Sequence, residues 1–154
     1  MEKDITMGTI TKSFSYKEFE ASATADKKDI CNVITSFDVR DAVKELTETI
    51  LQPLRDAWGS GISITSGYRC PALNDAVGGS KTSAHLTGYA ADLVPANGRI
   101  DEFYTFAESW LRRTRTPFDQ CIRERNSKGA RWLHIGLKGP HGCQRGEYKS
   151  MAKM

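Results

Sequence analysis

Over residues 83–92 the chain carries the stretch Ser83-Ala84-His85-Leu86-Thr87-Gly88-Tyr89-Ala90-Ala91-Asp92. The end of this stretch continues into Leu93 and Val94, and the mostly apolar run stops at Pro95, which predicts a short strand. Thr87-Gly88 is a turn signal that can fold His85 back toward Asp92. Imidazole and carboxylate groups are both ligands that zinc takes in proteins, so this pair is a candidate for part of a metal site.

A further candidate ligand lies on a predicted β-hairpin, which pairs residues 119–124 with residues 131–137 across the turn Asn126-Ser127-Lys128-Gly129. Leu133, Ile135 and Leu137 point one way along the second strand, so His134 points the other way. Two imidazoles and one carboxylate leave the fourth tetrahedral position of zinc open, as a catalytic site requires. Spacing alone also fits an interpretation without a metal, in which His85 is a loop histidine, Asp92 a strand-end acid and His134 a solvent-facing residue.

The surrounding sequence predicts helices around a small antiparallel sheet, an α+β fold. A Ser15/Glu18 capping box begins a short helix that ends by Ala25. Apolar residues at helical spacing predict a helix over 38–58, which Pro53 should kink or break, and another around 100–111. Residues 62–65 are a predicted strand and residues 74–83 a predicted loop.

Length and composition indicate one domain over residues 1–154, with a core at about 14–137 and a flexible tail after about 146. The net charge is only +3, and the cations form no basic stripe with aromatics, so we expect no nucleic-acid partner. We also expect no membrane insertion and no secretory signal in residues 1–10. The scattered cysteines are expected to be free thiols, although disulfides that form once the protein has left the cytoplasm are an alternative.

The pattern Ser-x-His-x-x-Gly-x-Ala-x-Asp of residues 83–92, followed by Trp132-Leu133-His134, resembles the zinc peptidases of the D-alanyl-D-alanine carboxypeptidase and L-alanyl-D-glutamate endopeptidase family. Residues 22–26, 51–55, 65–74 and 77–83 resemble the small phage-type branch of that family. The resemblance implies the hedgehog/DD-peptidase fold and one Zn²⁺ held by His85, Asp92 and His134. It also implies that Arg69 binds the substrate and stabilises the charged intermediate, and that Ser83 is a substrate-binding serine near the metal, although a loop-capping role for Ser83 stays open.

The general base departs from the family pattern. Many members place an acid three residues before the last histidine ligand, where this chain has Arg131. We predict Glu124 as the substitute, because it would share the metal face with His134 if it lies across from Trp132. A hairpin shifted by one residue would turn Glu124 to the other face. Asp119 and Glu102 are weaker alternatives.

The resemblance implies a zinc peptidase that cleaves stem peptides or cross-links of peptidoglycan, and we expect a phage endolysin or other wall-lytic enzyme. It would be made in the cytoplasm and act at the bacterial cell wall, released by a phage lysis system or carried in a virion with phage structural proteins. Carboxypeptidase and endopeptidase activity both stay open. The alternative is a non-catalytic zinc-binding module that holds wall peptide or assembles into a phage particle.

Overall fold

The computed structural model describes residues 5–6 and 8–153, which form helices around a five-stranded sheet and a small two-stranded sheet. The helices are α1 (Tyr16–Glu20), α2 (Ala23–Lys27), α3 (Phe37–Leu46), α4 (Gln52–Trp58), α5 (Pro71–Ala76) and α6 (Ile100–Thr114). The strands are β1 (Thr9–Thr11), β2 (Phe14–Ser15), β3 (Ile62–Ser66), β4 (Ala90–Pro95), β5 (Gln120–Asn126), β6 (Arg131–Gly136) and β7 (Glu147–Lys153). The predicted α+β architecture is confirmed.

The larger sheet has the order β3-β4-β6-β5-β7, and its first four strands are antiparallel. The hairpin of β5 and β6 has the register on which the Glu124 prediction depended, with Glu124 opposite Trp132 and Ile122 opposite His134. Alternation along β4 and β6 places Leu93 and Leu133 in the core. Asp92 and His134 therefore face the other side of the sheet.

The last strand, β7, contradicts the flexible tail predicted after about residue 146. It runs parallel to β5 and pairs with it from Gln120↔Glu147 to Asn126↔Lys153. Without β7, β5 would present a row of unpaired backbone groups at the edge of the sheet. Phe118 and Tyr148 also pack with ring centroids 5.1 Å apart. The sequence of β7 has no clear alternation of apolar and polar residues, because most of its side chains are exposed on both faces of this edge strand.

The predicted long helix is continuous but irregular. A π-helical turn, Thr47–Leu51, joins α3 to α4, so the irregularity lies just before Pro53 and the helix continues through it. Proline lacks an N–H and its ring clashes with the carbonyl four residues earlier in an α-helix, and a widened turn relieves both problems. Ile50, Leu51 and Leu54 are fully buried along this segment.

The predicted loop 74–83 is shorter than expected, because α5 extends through its first residues. Pro71 lies in the first turn of α5, where a missing N–H costs nothing. The capping-box prediction is consistent with a hydrogen bond from the Ser15 backbone N–H to Glu18 Oε1 at 3.0 Å. However, the helical segment that begins there is interrupted after Glu20 and resumes as α2.

Candidate metal centre

The structure brings His85, Asp92 and His134 together, with potential ligand atoms all within 4.8 Å of one another. Asp92 and His134 lie directly opposite each other on β4 and β6. His85 comes from the loop before β4, and its ring centroid is 5.1 Å from that of His134. Oδ1 of Asp92 lies 3.3 Å from Nε2 of His85 and 3.0 Å from Nδ1 of His134.

The orientation of the His85 ring fits a metal ligand. Nδ1 lies 2.6 Å from the carbonyl oxygen of Gly67, which can only accept a hydrogen bond, so Nδ1 carries the imidazole hydrogen. Nε2 then presents a lone pair, is buried, and has no hydrogen-bond partner among the residues that the structure describes. A cation between Nε2 and the Asp92 carboxylate would satisfy both groups, and the donor set of two imidazoles and a carboxylate suits zinc.

Gly67 is required at this position because the backbone passes very close to α1. A Cβ atom there would lie 2.6 Å from Cα of Phe19, a contact that only a backbone shift could relieve. The Arg69 N–H also donates to the His85 carbonyl oxygen at 3.1 Å. The segment after β3 therefore holds His85 at two points: the Gly67 carbonyl oxygen contacts the imidazole ring, and the Arg69 N–H contacts the His85 backbone.

The electrostatics of the site favour the protonation states that metal binding needs. Burial lowers the pKa of His85 and outweighs the opposing effect of Asp92, so the imidazole is neutral. Burial raises the pKa of Asp92, but interactions with His85 and His134 outweigh that effect and lower it below the ordinary value. A neutral imidazole and an ionised carboxylate are both ready to bind a cation.

Arg69 lies beside the metal ligands, with Nη2 3.8 Å from Oδ2 of Asp92 and a side chain only 15% exposed. Its Nη1 donates to Oδ1 of Asn74 at 3.1 Å and its Nε donates to Oγ of Ser66 at 3.3 Å. These contacts fix the plane of the guanidinium and direct one edge of it toward the cleft.

Asn74 is a positioning residue that sequence analysis did not single out. Besides holding Arg69, it donates from Nδ2 to the Ser80 carbonyl oxygen at 3.0 Å. This bond ties α5 to the loop of residues 77–83, which contains Gly78 and Gly79 and is called the glycine loop below. A Cβ atom on Gly79 would collide with the Asn74 side-chain amide. Its role depends on its burial, which the sequence does not show, and a buried asparagine needs such hydrogen-bond partners.

Glu124 lies on the metal side of the sheet, as the predicted register required. Its side chain is 4% exposed, with Oε1 3.8 Å from Nδ1 of His134 and Oε2 3.7 Å from Nζ of Lys153. Burial, together with the nearby charge of Asp92, raises the pKa of Glu124. A buried carboxyl with a raised pKa beside a candidate metal site is suited to accepting and returning a proton.

The other residues considered for the proton have different partners. Arg131 forms a two-point ion pair with Asp101, at 2.9 and 3.2 Å, away from the metal ligands. Glu102 is exposed on α6 and pairs with Arg99. Asp119 is buried and accepts two hydrogen bonds from the Arg145 side chain, both at 2.8 Å.

Ser83 lines the cleft, and its Oγ accepts a hydrogen bond from the His85 N–H at 3.2 Å. This contact is the loop-capping role that the sequence left open for Ser83. It also helps to fix the turn that carries His85.

A cleft of about 290 Å³ opens over the three candidate ligands. One wall contains Arg69 and the glycine loop. The opposite wall contains Lys149, Met151 and Lys153 of β7, which the sequence did not predict because the tail was expected to be flexible.

Outside the cleft, the four cysteines are free thiols. Burial raises the pKa of Cys121 to about 12, so its thiol stays protonated. Among the helices of the described residues, none combines the length and apolar character needed to cross a bilayer.

The sequence was compared with protein families and with curated proteins. The family model described as Peptidase M15 matches residues 12–135, which include all three candidate ligands, Arg69 and Glu124. No curated protein matches the sequence. The resemblance found in the motifs is thus confirmed at the level of the family, whose members are zinc-dependent. The chain belongs to the peptidase M15 family of metallopeptidases.

Proposed function

We propose that the protein is a zinc peptidase that hydrolyses a peptide bond in the stem peptides or cross-links of peptidoglycan. The observation that carries this proposal is the buried Nε2 of His85, which has no hydrogen-bond partner among the described residues and faces Asp92 and His134, with the buried carboxyl of Glu124 beside them. The peptidase M15 match supports the same class of reaction.

The zinc ion would be held by Nε2 of His85, Nδ1 of His134 and the Asp92 carboxylate. When bound, zinc supplies a Lewis acid that polarises water and the scissile carbonyl group. The hydrogen bond from His85 to Gly67 fixes the ring so that only Nε2 is available to the metal.

Glu124 moves the proton. Its carboxylate takes a proton from the attacking water, and the resulting carboxylic acid returns it to the leaving amine. Its raised pKa makes the carboxylate a stronger base toward water than an ordinary glutamate.

Arg69 stabilises the negative charge that develops on the substrate oxygen. A guanidinium stays ionised and offers paired N–H donors, and Asn74 and Ser66 hold it in place before the reaction. Ser83 is proposed to contact the peptide from the same wall of the cleft.

We further propose that the protein acts at the bacterial cell wall as a lysis enzyme of the small phage-type branch. The motifs of residues 65–74 and 77–92 support this placement. Phage structural proteins are the partners expected if the enzyme is instead carried in a virion.

The test is to incubate the full chain with purified peptidoglycan after metal removal, and again after adding one equivalent of zinc. We expect new amine termini only with zinc, and their loss on adding a chelator. The masses of the released fragments identify the bond and distinguish carboxypeptidase from endopeptidase action. Zinc binding without any new termini would overturn the enzyme proposal and favour the non-catalytic wall-binding module.

A further inference from the structure

We propose that Lys149 of β7 is a specificity residue that binds a carboxylate of the peptide substrate, on the wall of the cleft opposite Arg69. This inference rests on the proposed peptidase function and names the chemistry of the substrate it selects. The region matched by the family model ends at residue 135, and β7 begins at Glu147. Lys149 is therefore assigned from the structure of this chain alone.

The register of the sheet places Lys149 in the same row as the metal ligands. Asp92 lies opposite His134, His134 opposite Ile122, and Ile122 opposite Lys149 on successive strands. Residues in one row of a sheet point to the same face, so Lys149 projects on the metal side. It is one of the side chains that line the cleft.

The distance along this row matches a short length of peptide. Two steps between strands of about 4.8 Å separate Lys149 from His134 by about 10 Å, which is about three residues of an extended chain. A peptide bound across β6, β5 and β7, with its cleaved bond at the metal ligands, would bring a neighbouring side chain or terminus within reach of the Lys149 ammonium group.

Lys149 is available to a ligand. Its side chain is 43% exposed, and its ammonium lies 3.4 Å from Oε2 of Glu147. An exposed pair of this kind contributes little and is easily exchanged for another carboxylate. The two neighbouring cations have other partners at the site: Arg145 makes two hydrogen bonds to the buried Asp119, and Lys153 lies 3.7 Å from the Glu124 carboxyl that is proposed to move the proton.

The charge of the cleft favours an anionic ligand. The lining contains four cationic side chains and three carboxylates, and the Asp92 carboxylate is the one that would hold the metal. A bound divalent cation would add further positive charge. The cations are Arg69, Arg145, Lys149 and Lys153, and the carboxylates are Asp92, Asp119 and Glu124.

The test compares two synthetic peptides that are identical except that one carries a free side-chain carboxylate three residues from the cleaved bond and the other carries the carboxamide. Binding is measured by calorimetry with the zinc-loaded Glu124→Gln protein, in which turnover is suppressed, and kcat/KM is measured with the otherwise native chain. Lys149→Met keeps the aliphatic stem and removes the charge. Lys128→Met, in the exposed turn between β5 and β6, is the matched control.

We expect the parent protein to bind the carboxylate peptide about tenfold more tightly than the carboxamide, and Lys149→Met to abolish that preference, since one charge-assisted hydrogen bond is lost. Lys128→Met should retain the preference. Equal binding of the two peptides by the parent, no binding of either, or an equal loss for both in Lys149→Met would overturn the assignment. Preferential binding without cleavage would instead overturn the proposed peptidase function and leave the role of Lys149 supported.

Discussion

Nε2 of His85 lies 3.3 Å from Oδ1 of Asp92, and the imidazole hydrogen is on the opposite nitrogen, where it is donated to Gly67. Two electron-rich atoms thus face each other inside the protein. Such an arrangement is stable when a cation lies between them or when a proton is taken up. The facing lone pair of His85 and carboxylate of Asp92 therefore give this site the chemistry of a metal centre.

Zinc should therefore stabilise the fold through this site. At a free zinc concentration 100 times the Kd, the gain in free energy of unfolding should be about 2.7 kcal/mol. We expect His85→Ala to abolish most of the zinc-dependent rise in Tm, measured by calorimetric unfolding. His141→Asn, which changes an exposed histidine outside the cleft lining, should keep the full rise. An unchanged response in His85→Ala would exclude His85 as a ligand.

Glu124→Gln should lower kcat by about 100-fold to 10,000-fold, because the amide cannot accept the proton from water. Zinc affinity, measured by competition with a chromogenic chelator, should change less than about threefold, since Glu124 is not one of the three candidate ligands. Glu102→Gln alters an exposed glutamate on α6 and should retain native turnover. Native activity in Glu124→Gln would refute its role as the base.

Arg69→Lys should lower kcat/KM by about 100-fold, because an ammonium keeps the charge but loses the planar pair of donors that Asn74 and Ser66 orient. The thermal stability of the zinc-loaded variant should stay close to native. Lys81→Arg, in the exposed part of the glycine loop, serves as the control for a change of cation. If Arg69→Lys keeps native kcat/KM, the guanidinium geometry has no part in the reaction.

The ion pair of Asp119 with Arg145 should make stability depend on pH. Burial raises the pKa of Asp119, but the hydrogen bonds and charge of Arg145 outweigh it and lower the pKa below its ordinary value. The pair therefore stabilises the fold above the unfolded-state pKa of about 3.9, and this contribution is lost as the pH falls through the lower folded-state value.

Asp119→Asn should cost about 2 kcal/mol at pH 7, since charge-assisted hydrogen bonds are weakened. The difference from wild type should shrink as the pH falls from 5 to 2, measured by urea unfolding at each pH. Asp75→Asn changes an exposed aspartate of α5 and controls for the loss of a carboxylate. A difference that stays constant across this range would show that the ionised form of Asp119 does not stabilise the fold.

The sequence by itself determined which side chains of the strands share a face. Leu133 and Ile135 had to be buried, so His134 had to face away from the core. The register that places Ile122 opposite His134 was left open by the sequence and is given by the structure. The motif of residues 83–92, through its resemblance to a family of zinc peptidases, also predicted His85 and Asp92 as candidate ligands. These properties are local, because the period of a strand and the chemistry of a side chain do not depend on distant parts of the chain.

Only the tertiary structure decided how these groups act together. The Gly67 carbonyl that orients His85 belongs to a segment brought close by packing against α1, and Asn74 holds Arg69 across a loop. The pairing of β7 with β5 depended on the open edge of the sheet, to which the polar sequence of β7 gives no clue. Backbone hydrogen bonding at that edge is independent of side-chain pattern, and it is what places Lys149 and Lys153 on the cleft wall.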